Sequence, residues 1–130
     1  MKMKSNTNEI RRQISSLIRD AADVQPFYIN RPSNVAYPYI LYEYKEINSV
    51  DGQTSGTLEV DIVTKDKKTV NDMADQIQDA FDHNVVNTDK LMFHSYRARR
   101  YPVVEEDKSI QRIHLQMDMY VYSKEEESNA

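Results

Sequence analysis

The stretch SGTLEVDIVTKDKKTVNDMADQIQDAF, residues 55–81, changes abruptly from a period of two to a period of 3.6. In Thr57–Val63, Leu58, Val60 and Ile62 alternate with Thr57, Glu59 and Asp61, the pattern of a strand with one buried and one wet face. Val70, Met73, Ala74, Ile77, Ala80 and Phe81 then recur at helical spacing and make one apolar stripe. A strand and a helix joined so closely pack helix on sheet.

Working outward, SIQRIHLQMDMYVYSK (109–124) is the clearest strand. Ile113, Leu115, Met117, Met119 and Val121 share one face, and Arg112, His114, Gln116, Asp118, Tyr120 and Tyr122 the other. YPYILYEYKEI (37–47) is a second aromatic and β-branched strand, opened by a proline that a first position tolerates. Between it and the strand at 57–63, NSVDGQTSG (48–56) holds both glycines of the chain. It reads as a flexible hairpin loop and a candidate contact loop, with Asp51, Gly52, Gln53 and Gly56 as its candidate contact residues.

Upstream, Asn6 and Glu9 match a helix-start capping pattern, and Ile10, Ile14, Leu17 and Ile18 give the following helix one apolar face. Phe27–Asn30 is a short strand candidate. Downstream of the second helix, residues 83–90 read as a polar connection and Leu91–Arg100 as a strand ended near Pro102. The expected order is α-β-β-β-α-β-β, a mostly antiparallel sheet of four to five strands with both helices on one face. The other face must then be polar or covered by a partner. Tyr42, Tyr44, Tyr120 and Tyr122 are expected there, because tyrosine buries a ring and keeps a wet hydroxyl.

A length of 130 residues fits a single domain, 1–130, with its core at about 8–123 and disordered ends at 1–5 and 125–130. No charged and then apolar leader pattern opens the sequence, and no apolar run is long enough for a membrane helix, so cytoplasmic use is expected. Zero cysteines exclude disulfides, thiolate zinc sites and cysteine nucleophiles. A net charge of −4 argues against a dedicated nucleic-acid binder.

Candidate chemistry is sparse. His83, His94 and His114 stand on different elements without metal-ligand spacing, and no phosphate-binding glycine loop or nucleophile elbow occurs. Glu59 and Asp61 project to one side of a strand, a pairing that any wet strand face also shows. No catalytic, cofactor or metal residue is expected. The cluster Tyr96-Arg97-Ala98-Arg99-Arg100-Tyr101 has the composition for phosphate contact and base stacking, yet Glu105-Glu106-Asp107 across the hairpin tip can neutralise it. An ion-pair network within or between subunits, through Arg97, Arg99, Glu105 and Glu106, is the preferred reading. Simple alternation puts Arg97 and Arg99 on one strand face and Arg100 on the other.

YPYILYEY, a loop, TLEVDIVTKDKKTVNDMADQIQDAF and a long closing strand together resemble the tail-completion, or tail-terminator, proteins of long-tailed bacteriophages. Pro38-Tyr39-Ile40 and Thr64-Lys65-Asp66 before the helix carry the resemblance, which spans roughly residues 8–123. It implies a small α+β subunit that assembles into a ring, typically a hexamer, which ends the tail tube and joins tail to head. The implied partners are further copies of the chain, the tail tube protein and head-tail connector proteins, met first in the bacterial cytoplasm and then in the virion tail. Neither a membrane nor strong nucleic-acid binding is implied, and no catalytic motif carries over. Arg112, His114, Asp118, Tyr120 and Tyr122 are the candidate assembly surface. The alternative from a different class is a small monomeric or dimeric protein-binding module with a regulatory role.

Overall fold

The computed structural model describes residues 7–124; Asn6 and the expected disordered ends lie outside the described residues. Eight elements follow in order: α1 (Thr7–Ala22), β1 (Phe27–Tyr28), β2 (Tyr39–Val50), β3 (Gln53–Thr64), α2 (Lys67–Phe81), β4 (Asn84–Asn87), β5 (Leu91–Val103) and β6 (Gln111–Ser123). They form one six-stranded sheet in the order β1-β2-β3-β6-β5-β4, antiparallel except for the β1–β2 pair. The fold is α+β with the expected sequence of elements. The added strand is β4, a four-residue edge within the stretch expected to be a plain connection.

Hydrophobic periodicity explains the layering. Ile10, Ile14 and Ile18 of α1 and Val70, Met73, Ala74, Ile77 and Phe81 of α2 lie against Ile40, Leu58, Val60, Ile62, Leu91, Phe93 and the five apolar positions of β6. The β3–α2 junction is secured by Asp66, whose carboxylate accepts from the Thr69 backbone N–H at 2.8 Å and the Thr69 hydroxyl at 2.6 Å. At the far end of α2, the Ser95 hydroxyl donates to the Phe81 carbonyl at 2.5 Å, which satisfies a helix-terminal carbonyl inside the core.

Two sequence expectations fail here. Residues 48–56 are no loop: Val50 pairs with Gln53 across a two-residue turn, Asp51-Gly52, in which both φ angles are positive (47° and 83°). Gln53, Thr54, Ser55 and Gly56 continue as β3 and pair with Tyr122, Val121, Tyr120 and Met119 of β6, so the candidate contact loop is sheet. The ladder supplied by β6 outweighs the weak strand propensity of these small polar residues.

Tyr42 and Tyr44 are the second correction. They pair with Val60 and Leu58, in phase with Ile40, and lie buried on the helix side instead of the open side. The Tyr42 hydroxyl reaches the Arg11 carbonyl of α1 at 3.5 Å. The Tyr44 ring lies over Gly56, where an added Cβ would stand 2.5 Å from its hydroxyl and 2.6 Å from the ring. Burial pushes the Tyr44 phenol far above its ordinary pKa, so it stays protonated.

Candidate assembly surface

The face opposite the helices is built by alternation, residue against residue across four long strands. From β6 it takes Arg112, His114, Gln116, Asp118, Tyr120 and Tyr122. From β3 it takes Gln53, Ser55, Thr57, Glu59 and Asp61, and from β5 Met92, His94, Tyr96, Arg99 and Tyr101. All five candidate surface residues therefore share one face, as their spacing predicts. No helix covers them, although Arg112, His114, Asp118 and Tyr120 are partly buried.

Charged and aromatic residues separate into two bands. Around the first half of β6, Arg112 bridges Asp61 at 3.3 Å and Glu105 at 3.4 Å. His114 sits 3.0 Å from Asp61 and 3.6 Å from Glu59, with its ring stacked on Tyr101 at 5.2 Å. Lys45 continues the strip from Glu59 at 3.4 Å. Burial works against the Arg112 charge, but the hydrogen bond and charge of Asp61, with Glu105 and Tyr39, outweigh it and raise the guanidinium pKa. Acids and bases along this strip pair with one another.

Around the second half of β6 the face is aromatic. Tyr120 meets Tyr96 at 6.1 Å, Tyr122 meets His94 at 5.9 Å, and His94 and His83 both flank Tyr96, at 6.4 and 5.1 Å. Edge and tilted ring contacts of this kind hold flat side chains upright on a sheet. The sequence reading of the open face leaves out Tyr96 and Tyr101. The signal was present in the alternation of Met92, His94 and Tyr96 with Leu91, Phe93 and Ser95.

The candidate intersubunit charges fare differently. Glu105 pairs with Arg112, not with the basic cluster, and Glu106 has no ion pair among the described residues. Asp107 turns inward to the 107–110 bend, accepting from the Ser109 N–H and hydroxyl at 3.0 and 2.7 Å. Arg100 pairs with Asp75 of α2 at 2.7 Å. A β-bulge between Arg97 and Arg99 reverses the expected alternation. Arg97 aligns with Met117 and Arg100 with Leu115 on the helix side, whereas Arg99 aligns with Gln116 on the open face.

A hollow of about 70 Å³ beside Glu43, Glu59 and Asp61 holds no more than a few waters. Among the described residues, no group of three or more histidines and acids is arranged to hold a metal ion. No described helix is long and apolar enough to cross a membrane.

No family model and no curated protein matches this chain. Solved structures do share its fold. A chain from the virion of a native gene transfer agent particle aligns with a TM-score of 0.55 at 16% identity, over 84% of each chain. A second solved chain aligns with a TM-score of 0.70 at 12% identity, over 96% of this chain and 100% of the other.

Proposed function

We propose that this protein is a structural subunit of a phage or phage-like particle: a tail-terminator, or tail-completion, protein that forms a ring ending the tail tube and joining it to the head. The observation that carries this reading is the open sheet face. Four strands spaced about 4.8 Å apart and about 40 Å long present on the order of 800 Å², the area one partner contributes to a standard protein interface. Its tyrosine and histidine band has the composition of an interface core, and its charged strip that of a rim. The fold likeness to a virion chain supports the same assignment, as does the resemblance of residues 8–123 to tail-completion proteins.

In this reading the chain performs no chemistry. It binds further copies of itself, the tail tube protein and the head-tail connector, and acts in the bacterial cytoplasm before becoming part of the virion tail. The test is genetic. Removing the coding sequence from its phage or prophage is expected to yield tails of uncontrolled length that do not join heads, and supplying the protein in trans restores uniform joined particles. Normal particles without the protein would overturn the assignment.

A further inference from the structure

Both edges of the sheet are half bare. β1 pairs with β2 at Leu41 and Tyr42, and β4 pairs with β5 from Met92 to Ser95. Among the described residues, no strand lies along the outer side of β2 beyond Tyr42 or of β5 beyond Ser95. Every residue from Lys45 to Val50 is exposed, as are Arg97, Ala98 and Arg99. Unpaired edges of this kind are templates for another strand. β2 and β5 run in opposite directions, since three antiparallel steps separate them. Their bare C-terminal halves therefore lie at opposite ends of the sheet as well as on opposite edges.

The backbone direction along each edge follows from its hydrogen bonds. The Ile29 N–H donates to the Tyr42 carbonyl at 2.8 Å and the Tyr28 hydroxyl to the Tyr44 carbonyl at 3.3 Å, so even-numbered residues of β2 turn their backbone groups outward and Glu46 is the next in phase. On β5 the Arg97 N–H points outward, to the Asp82 carboxylate at 3.0 Å. The bulge at Arg97–Arg99 shifts the phase by one, which turns Arg100 and Pro102 outward, the position a proline on an edge must take. Placing Glu46 against Arg100 in an antiparallel pair sets Tyr44 against Pro102. That register suits both: Pro102 has no N–H to offer, and the Tyr44 carbonyl is already served by Tyr28. The charges match too. Glu46 and Arg100 both stand on the helix side, opposite in register to Gly56 and Leu115 of their own chain, and Glu46, Arg97 and Arg99 make no ion pair among the described residues.

We propose that the outer edge of β2 around Glu46 in one copy pairs antiparallel with the outer edge of β5 around Arg100 in the next. Two different edges of one chain make the contact heterologous, the kind that closes into rings or continues as filaments. The offset between the two bare halves supplies the stagger that a sheet needs to close on itself. The inference rests on the ring-subunit reading and adds the backbone contact that sets neighbours in register.

The absence of cysteine from the chain makes disulfide trapping a clean test, because directly opposed strand residues stand within disulfide reach. Full-length Glu46→Cys and Arg100→Cys chains are mixed under mild oxidation, and the rate of disulfide dimer formation is followed on non-reducing gels, with thermal unfolding of each variant alongside. The mixture is expected to cross-link about tenfold faster than either variant alone, since pairing holds the two thiols together. It should also outpace a mixture of Glu46→Cys with Val104→Cys, although Val104, at 82% exposed, is the partner that random collision favours. Equal rates in the two mixtures, or homodimers that form as fast as the mixed dimer, overturn the proposal. If the wild type sediments as a closed ring and the Glu46–Arg100 mixture does not cross-link selectively, the edge pairing fails while the ring-subunit reading stands. Selective cross-linking of a chain carrying both cysteines into open ladders, with no closed ring, upholds the pairing and counts against the ring reading alone.

Discussion

The two faces of the sheet are carried by the same strands and do opposite work. On β6, Ile113, Leu115, Met117, Met119 and Val121 are no more than 5% exposed, and each is held by helix and neighbouring strand together. Their even-numbered neighbours, from Arg112 to Tyr122, stand on the open face, where Arg112 and His114 meet Asp61 and the rings of Tyr120 and Tyr122 meet Tyr96 and His94. Along one backbone, successive residues therefore belong to a core and to a surface. Substitutions on the first should act on folding, and substitutions on the second on association.

The sharpest way to break this contrast is to truncate the covered face. Phe81 is fully buried where α2 meets the sheet, and Phe81→Ala should cost about 3–5 kcal/mol through lost transfer energy and a residual cavity. Chemical denaturation measures it. A cost below about 1 kcal/mol would mean that the helix layer is not the core.

Gly56 is next, because it lies on the covered side beneath the Tyr44 ring. Gly56→Ala must displace a buried ring and should cost about 1–3 kcal/mol. Combining it with Tyr44→Ala should recover part of that loss, since the clash disappears. If the two losses simply add, the ring does not rest on the glycine.

On the open face, Asp61 holds both Arg112 and His114. Asp61→Asn should nevertheless cost only about 1 kcal/mol, because the pairs are partly solvated and Glu105 still holds Arg112. A loss comparable to that of Phe81→Ala would erase the distinction between the faces.

The junction between layers gives a pH test. Hydrogen bonds from the Thr69 hydroxyl and N–H hold the Asp66 carboxyl below its usual range. The folded pKa lies under the unfolded value of about 4, so the cap contributes fully above that pH and its contribution is lost as pH falls through the folded value. Asp66→Ala should lower stability at neutral pH and flatten its decline in acid, measured by thermal unfolding against pH. Identical acid profiles for the two proteins would remove Asp66 from the account.

Much of this architecture is legible in the residues. The alternation of β6 and the stripe of α2 state which face is buried, and they place the candidate surface residues together. The hairpin at 48–56 reads as a loop because glycine, serine and threonine have little strand preference of their own; their extended form comes from pairing with β6. The expectation of Tyr42 and Tyr44 on the open face fails although they lie in phase with Ile40, since tyrosine suits either side of a sheet. The bulge at Arg97–Arg99 leaves no trace in composition, and it alone decides which arginines face α2. The partner of Arg100 comes from α2, 25 residues away, which no local pattern names.

The most direct test of the central claim compares the solution mass of the wild type with that of Tyr120→Asp/Tyr122→Asp, by sedimentation over a concentration series with and without the tail tube protein of the same particle. Thermal unfolding is recorded in parallel. The account predicts that the wild type forms a closed ring, that the double variant remains monomeric, and that the two unfold at nearly the same temperature. A variant that assembles like the wild type, or one that fails only because it unfolds, would contradict the claim that the open face is the assembly surface.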